Sequence, residues 1–149
     1  MFYLGIDPGQ SGGIALLDQG YKVVFCVKMP KTLKDMDDLF KGLPDQTMCV
    51  IEKVHSMPGQ GVASSFKFGM NYGSLRALLV SNEIPFEEST PQKWMKFFSM
   101  KKEKTESKTD WKNRLKGKAQ QFFPKTVVTL AVADALLIAR YAHAWFSSD

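Results

Sequence analysis

Residues 3–13 read YLGIDPGQSGG, an apolar run that ends in a single acid, Asp7, and then breaks into a glycine-rich turn. The first predicted strand covers 2–6 (FYLGI). Two further strand-like runs follow at 13–17 (GIALL) and 22–27 (KVVFCV), after turns that contain glycine. Short β-type runs joined by such turns are typical of an antiparallel meander. We therefore expect the chain to begin with three adjacent strands.

The rest of the chain alternates between helical and strand patterns. A helix is predicted over 32–41, where apolar residues recur at helical spacing behind Thr32. The run at 47–54 (TMCVIEKV) is rich in β-branched residues and reads as a buried strand. The remaining predictions are a helix over 62–82, a strand over 84–90, and helices over 91–98, 108–122 and 129–146. This order predicts an α/β fold, a mixed five-stranded sheet with helices on both faces.

Length and composition indicate one globular domain. The chain has 149 residues, of which 44% are hydrophobic, enough for a single core and against disorder. No apolar stretch is long enough to cross a bilayer, and no basic segment leads into an apolar signal core, so we expect an intracellular protein without a membrane partner. Cys26 and Cys49 lie in strand-like runs, which favours core positions over a disulfide or zinc site.

Positive charge is concentrated in one part of the chain. Residues 93–118, called the basic segment below, hold ten of the twenty Lys and Arg residues against three acids, and aromatic residues lie between them. This combination favours a surface that binds a polyanion such as nucleic acid. The alternative is a solvated charged loop. The cationic residues are Lys93, Lys96, Lys101, Lys102, Lys104, Lys108, Lys112, Arg114, Lys116 and Lys118.

Three acids lie in elements that otherwise look buried. Asp7 closes the first strand, Glu52 comes late in the fourth, and Asp134 lies inside the apolar helix AVADALLIARYA. Each has an individual explanation: an Asx turn for Asp7, an ion pair with a lysine for Glu52, and a position near a helix cap for Asp134. Burying an unpaired carboxylate is costly, so three such acids together call for a common cause.

A shared metal site is one such cause. If the first and fourth strands are neighbours and the last helix packs across them, the three carboxylates converge. Clustered carboxylates repel one another unless a cation lies between them. Hard oxygen ligands suit Mg²⁺ or Mn²⁺, and two such ions could activate water and stabilise the leaving oxygen of a phosphodiester. The basic segment would then bind the substrate, a nucleic acid.

The chain resembles the RuvC-type Holliday junction resolvases of the RNase H-like superfamily, most closely the small phage and prophage versions. Four stretches carry the resemblance, in the family's order and over nearly the whole chain. They are GIDPGQSGGIAL (5–16), VIEKVHSMPGQGVASSFKFGMNYG (50–73), WKNRLKGKAQQFFP (111–124) and ADALLIARYA (133–142). The resemblance implies an RNase H-like sheet in a single RuvC-like nuclease domain spanning residues 1–149.

The resemblance also implies a function. It makes Asp7, Glu52 and Asp134 the ligands of Mg²⁺, which Mn²⁺ could replace, with two ions per site. It implies a homodimer that makes paired cuts in a four-way DNA junction, in the cytoplasm of a bacterial host if a phage encodes it. Other branched DNA could also be cut. Lys112 falls where related enzymes keep a lysine that could neutralise transition-state charge. The alternative for Lys112 is a phosphate contact or an exposed helix lysine.

The residues after the fourth strand are predicted to face the junction. His55 and Gln60 lie in a loop, and Phe66 opens the following helix, where an aromatic ring could contact unstacked bases. We therefore predict DNA contacts from His55, Gln60, Phe66 and the basic segment. The alternative is that Phe66 or Phe68 fills the core or a dimer interface, since residues two apart cannot share a helix face. A lone histidine in a loop is also commonly a surface residue.

One departure from the family pattern leaves the activity open. The family usually has a fourth acid one helical turn before the last aspartate, where this chain has Leu130, Ala131 and Val132. Either three carboxylates and another oxygen suffice, or the metal site is weakened and the protein binds junctions without efficient cleavage. A third alternative is an actin-like or sugar-kinase-type phosphate-binding fragment, because IDPGQSGG resembles their phosphate loop. Those proteins need two lobes and a second glycine-rich motif, so we expect no nucleotide cofactor.

Overall fold

The three runs at the start of the chain form the antiparallel meander that their turns predict. In the computed structural model, which describes residues 1–55 and 58–148, β1 (Phe2–Asp7) pairs with β2 (Gly13–Asp18), and β2 pairs with β3 (Val23–Lys28). On the other side of β1, β4 (Thr47–Glu52) pairs in parallel, and β5 (Phe86–Ser89) pairs in parallel with β4. The strand order is β3-β2-β1-β4-β5, which confirms a mixed five-stranded sheet.

All of the predicted helices are present, with bounds within two residues of the prediction. Three of them begin at a residue whose side chain caps the helix: Thr32 accepts a hydrogen bond from the Asp35 N–H, Thr90 from the Lys93 N–H, and Ser107 from the Asp110 N–H. None of the described helices is long and apolar enough to cross a membrane. The helices are α1 (Leu33–Lys41), α2 (Val62–Ser81), α3 (Pro91–Phe97), α4 (Lys108–Phe122) and α5 (Leu130–Ser147).

The helices form a layer on each face of the sheet. On one face, Leu4 of β1 packs in a buried cluster with Phe40 of α1 and Leu75 of α2. On the other, Tyr3 of β1 packs in a cluster with Leu136 of α5 and with residues of α3 and α4. Side chains alternate between the faces of a strand, so each central strand contributes to both clusters. The predicted helices on both faces are confirmed.

Both cysteines are free and belong to the packing of the sheet. Cys49 is buried on the α1 and α2 face, and Cys26 is half-buried against the α5 face. They therefore lie on opposite sides of the sheet, as expected for small core residues.

Two glycines allow α5 to lie directly on the sheet. A Cβ added to Gly5 in β1 would lie 2.2 Å from the Ala139 nitrogen and 2.3 Å from the Ala135 carbonyl oxygen. A Cβ on Gly13 in β2 would lie 2.5 Å from the Ala131 carbonyl oxygen. These contacts are with helix backbone, so no side chain could move aside to relieve them. The first turns of α5 are thereby held over the end of β1 that carries Asp7.

Candidate active site

Asp7 and Glu52 end two neighbouring parallel strands. The register pairs Ile6 of β1 with Ile51 of β4, so the next residue on each strand is one of the two acids. In a parallel pair, side chains in register project to the same face of the sheet. For Asp7 and Glu52 this is the face of Val50, which packs with α5. The two acids therefore leave the same edge of the sheet on the side that α5 covers.

Asp134 reaches this edge from α5. It is the fifth residue of the helix, beyond the N-cap Thr129, so it does not cap the helix. The preceding turn lies over Gly13, the residue paired with Asp7 across β1 and β2. The negative charge of Asp134 raises the pKa of Asp7, and so does that of Glu52. The structure thus brings the three acids of the sequence prediction together, from two strands and one helix.

The pKa of each of the three carboxyls is raised. Burial is the largest cause in every case, and it holds the pKa of Asp7 well above its usual value. The pKa of Glu52 is raised to about 7 and that of Asp134 to about 6. Among the described residues, none of the three forms a salt bridge, and the Asp7 carboxylate accepts no hydrogen bond, which excludes the Asx turn. Their negative charge is therefore poorly compensated within the protein.

Lys112 supplies part of the compensation. It lies on the exposed side of α4, and its ammonium lowers the pKa of both Asp7 and Asp134. The neighbouring Trp111 and the next turn's Leu115 are buried and fix α4 against the core, which holds Lys112 toward the acids. The fourth residue of the predicted site is therefore close enough to interact with the other members electrostatically.

Trp94 is a member of the site that the sequence analysis missed. Its ring N–H donates a hydrogen bond to a carboxylate oxygen of Glu52 at 2.7 Å, and this bond lowers the pKa of Glu52 against the effect of burial. Glu52 thus pairs with a tryptophan and not with the lysine considered above. A buried indole N–H usually finds an acceptor, so a Trp in the capped, amphipathic α3 was the available signal. The sequence does not reveal which acceptor it uses.

Helix α2 holds the turn that follows Asp7. The Gly9 N–H donates a hydrogen bond to the side-chain oxygen of Asn71 at 2.7 Å, and the Phe68 ring packs against Gly9. Phe68 is half-buried, whereas Phe66 is 68% exposed. The two rings therefore point in different directions, as their spacing requires, and Asn71 and Phe68 were not predicted as part of the site.

The donor chemistry fits a hard divalent cation, but the side chains are not arranged around one. Across residues 1–55 and 58–148, no group of three or more His, Cys, Asp or Glu side chains is disposed to hold a metal ion as it stands. Glu52 is directed toward Trp94 instead. Asp134 raises the pKa of both Asp7 and Glu52, and a cation between these oxygen donors would relieve the repulsion. The type and charge of the residues fit Mg²⁺ or Mn²⁺, and binding requires the carboxylates to turn.

The acidic cluster predicts an unusual pH dependence of stability without metal. A carboxyl whose pKa is higher in the folded than in the unfolded state lowers the free energy of unfolding at pH values above its folded-state pKa. This cost disappears as the pH falls from the folded-state pKa to the unfolded-state pKa. In EDTA, the free energy of unfolding should therefore rise by roughly 2 kcal/mol from about pH 8 to about pH 5. Chemical denaturation at several pH values measures this. Asp134→Asn should flatten the curve, and equal curves for wild type and variant would contradict the prediction.

The predicted DNA contacts in the basic segment lie in the loop between α3 and α4 and on these two helices. Lys101, Lys102 and Lys104 are exposed in the loop between α3 and α4, free of ion pairs with any residue that the structure describes. Arg114 differs, because its guanidinium donates hydrogen bonds to the Glu106 carboxylate and to the Lys101 carbonyl. Arg114 therefore holds the loop in place. The remaining members are Lys93 and Lys96 on α3 and Lys108, Lys116 and Lys118 on α4.

The other predicted contacts lie between β4 and α2. His55 is exposed and Gln60 is half-buried in this connection, and Phe66 is in the first turns of α2. Ser56 and Met57 lie outside the described residues. The roles of His55, Gln60 and Phe66 toward DNA stay predictions.

Solved structures share this fold. RuvC from Thermus thermophilus matches with a TM-score of 0.66 at 16% sequence identity, over 99% of this chain and 95% of that chain. A second structure, of Thermus thermophilus RuvC in complex with a Holliday junction substrate, matches with a TM-score of 0.65 at 15% identity, over 99% and 94% of the two chains. No family model and no curated protein matches the sequence. The chain therefore has a RuvC-like, RNase H-like α/β fold.

Proposed function

We propose that this protein is a metal-dependent endodeoxyribonuclease of the phage RuvC type that resolves four-way DNA junctions. The observation that carries the proposal is the meeting of Asp7, Glu52 and Asp134 at one edge of the sheet, with raised pKa values and Lys112 nearby. Such a cluster lowers the stability of the protein, which is typical of a functional site. The RuvC-like fold supports the choice of four-way junctions as the substrate.

The roles of the residues follow from their contacts. Asp7, Glu52 and Asp134 would hold Mg²⁺, two ions per site, with Mn²⁺ able to replace it. A bound metal would supply the activation of water and the stabilisation of the leaving oxygen of the phosphodiester. Trp94 limits the orientations of the Glu52 carboxylate through its hydrogen bond. Lys112 offers a positive charge next to Asp7 and Asp134, where it can stabilise negative charge that develops on a phosphate.

A junction-binding protein with impaired cleavage is the second candidate. Positions 130–132 offer no side-chain oxygen in place of a fourth acid, and the described carboxylates are not arranged around an ion. The clustering of the acids favours the enzyme, because a protein that only binds DNA gains nothing from three buried carboxylates whose pKa values are raised. The two candidates differ in whether Mg²⁺ converts binding into cutting.

The exposed face of α2 supports a homodimer. Val62, Phe66 and Met70 are exposed along one stripe of the helix, and a Cβ added to Gly69 or Gly73 on the same stripe would meet no atom of the described residues within 4 Å. A second α2 could approach closely there, which would relate two active sites by a twofold axis for two opposed cuts. Sedimentation velocity tests this proposal. We expect a dimer for wild type and a monomer for Met70→Glu, and a wild-type monomer at micromolar concentration with DNA present would refute it.

The basic segment is the proposed contact surface for the DNA backbone. Each phosphate contact releases condensed counterions, so log affinity falls with log salt by about 0.9 per phosphate engaged. Replacing Lys101, Lys102 and Lys104 together by glutamine should flatten this slope by roughly two to three units and weaken duplex and junction binding alike. Titrations at several salt concentrations measure the slope. An unchanged slope would mean that the segment is only a solvated loop.

A cleavage assay on matched substrates tests the proposed activity. The substrates are a four-way junction, a three-way junction, a flap and a duplex built from shared strands, each with Mg²⁺ and with EDTA. We expect cutting of the four-way junction in Mg²⁺, weaker cutting of the other branched substrates, and an intact duplex. Binding of the four-way junction without cutting in either Mg²⁺ or Mn²⁺ would favour the second candidate. Equal cutting of the duplex would refute selectivity for branched DNA.

A further inference from the structure

A cavity of about 350 Å³ lies toward the opposite end of α5 from the acidic cluster. Arg140 of α5 lines it, six residues beyond Asp134 and therefore about 9 Å further along the helix axis. Tyr21 lines it from the β2–β3 turn, at the end of the meander away from Asp7. Helices α3 and α4 complete the wall. The cavity is therefore separate from the proposed catalytic centre.

Arg140 presents unused hydrogen-bond donors to this cavity. The centre of its guanidinium lies 4.3 Å from the centre of the Tyr21 ring and 4.1 Å from that of the Phe122 ring. Ring stacking occupies the flat faces of a guanidinium and leaves the N–H groups at its edge free to bind a phosphate in a bidentate manner. Arg140 makes no hydrogen bond or ion pair with any residue in the described parts of the chain.

A second cation reinforces the positive charge. The Lys118 ammonium also lies over the Phe122 ring, 5.5 Å from its centre, and lines the same cavity. Among the described residues that line it, none carries an acidic side chain. Two cations in the lining therefore favour an anion as the ligand of this cavity.

Exposed aromatic rings lie next to these cations. Phe97, from the last turn of α3, lines the cavity and is 50% exposed, and Tyr21 is 42% exposed. Phe97 is fixed by edge-on contacts with Phe98 and with Tyr141 of α5. A fixed ring with an open side is a platform on which a nucleobase can stack. The volume of about 350 Å³ is within the range of pockets that hold a small ligand.

We propose that this cavity binds one unpaired nucleotide of single-stranded DNA, with its phosphate on Arg140 and Lys118 and its base on Phe97. The bases of a duplex are stacked on one another, so only an unstacked base can offer its face to the ring. This inference rests on the proposed function only in taking DNA as the nucleic acid that is bound. Because the cavity lies away from the acidic cluster, the nucleotide bound in it is not the one whose phosphodiester is cut. The cavity would hold a strand that leaves the branch point unpaired.

Binding of single-stranded DNA in EDTA tests the proposal. The probe is a 5′-labelled oligothymidylate of about 12 nucleotides, followed by fluorescence anisotropy. Arg140→Gln should weaken binding about tenfold or more. The salt dependence should also become shallower by about 0.7, the value for one phosphate on a single strand. Lys34→Gln is the matched control, because it removes the same charge from α1 on the other face of the sheet.

The comparison of Arg140→Gln with the control Lys34→Gln decides whether the cavity binds single-stranded DNA. The control should change affinity by less than about twofold, since an exposed charge far from the site is screened by salt. Equal losses for Arg140→Gln and Lys34→Gln would overturn the proposal, and so would an equal loss for a duplex of the same length. Should Arg140→Gln fail to fold, Phe97→Leu carries the same test at an exposed position, with a loss of about fivefold expected. EDTA prevents cleavage, so the result is independent of whether the protein is a nuclease.

Discussion

Asp134→Asn is expected to reduce Mg²⁺-dependent cleavage of a four-way junction by about a thousandfold or more, because metal ions contribute several kcal/mol to transition-state stabilisation. The amide keeps the shape of the carboxylate but loses its charge, which weakens ion binding. Junction affinity should be largely unchanged, since the proposed phosphate contacts lie in the basic segment and not at Asp134. Asp7→Asn and Glu52→Gln should behave in the same way. Single-turnover cleavage and a binding titration in EDTA measure the two quantities.

Asp45→Asn is the matched control for these variants. Asp45 is exposed in the connection before β4, and the same change of charge there should leave cleavage unaltered. Each active-site variant should also be more stable than wild type in EDTA, because it removes a buried acid whose pKa is raised in the folded protein. If Asp134→Asn cleaved the junction at the wild-type rate, Asp134 would have no part in catalysis.

Gly5→Ala is expected to lower the free energy of unfolding by more than about 3 kcal/mol, the range of severe packing defects. The added methyl group would lie within 2.3 Å of two backbone atoms of α5, at Ala135 and Ala139. The helix must then move off β1 and carry Asp134 with it. Denaturation by urea, followed by circular dichroism, measures the change.

Gly117→Ala is the control for this substitution. Gly117 lies in the middle of α4, and a Cβ there would have no neighbour within 4 Å in the part of the chain that the structure describes. Because alanine favours the helix over glycine, the same change should raise the free energy of unfolding by about 1 kcal/mol. The two glycine-to-alanine substitutions should therefore change the free energy of unfolding in opposite directions. A Gly5→Ala protein as stable as wild type would show that α5 does not lie against β1 as described.

Most of the fold could be predicted because local signals mark the ends of its elements. Glycine turns separate the first three strands, and Thr32 and Thr90 begin helices where caps are expected. The strand predicted over 84–90 begins two residues later than predicted, at Phe86, for a local reason. The Ile84 N–H donates to the Leu79 carbonyl at the end of α2, and Pro85 has no N–H, so β5 starts at Phe86.

The candidate site could be predicted only as a set of unusual residues. Asp7, Glu52 and Asp134 stand out because each is an acid in an apolar element, and that signal is local. The hydrogen bond from Trp94 to Glu52 and the contact of Gly5 with Ala139 join residues far apart in sequence. Such pairings depend on how the helices pack on the sheet. No pattern within a single element of one sequence encodes them.

The hydrogen bonds within the basic segment could not be predicted either, because they also depend on which residues the fold brings together. Composition places Arg114 among ten equivalent cations, whereas its bonds to Glu106 and to the Lys101 carbonyl make it a structural part of the loop. Whether a cation is free depends on which acid the chain folds beside it. The exposed lysines of the same loop have no such partner among the described residues.

The most direct test of the central claim is a titration of the protein with Mn²⁺, followed by the electron paramagnetic resonance signal of the free ion. The claim is that Asp7, Glu52 and Asp134 together hold a divalent metal, although their side chains are not yet arranged around one. We predict saturable binding to the wild-type protein, competition by Mg²⁺, and loss of this binding in both Asp7→Asn and Asp134→Asn, while Asp45→Asn binds as wild type does. Wild-type protein that binds no Mn²⁺, or variants that bind it equally well, would contradict the account.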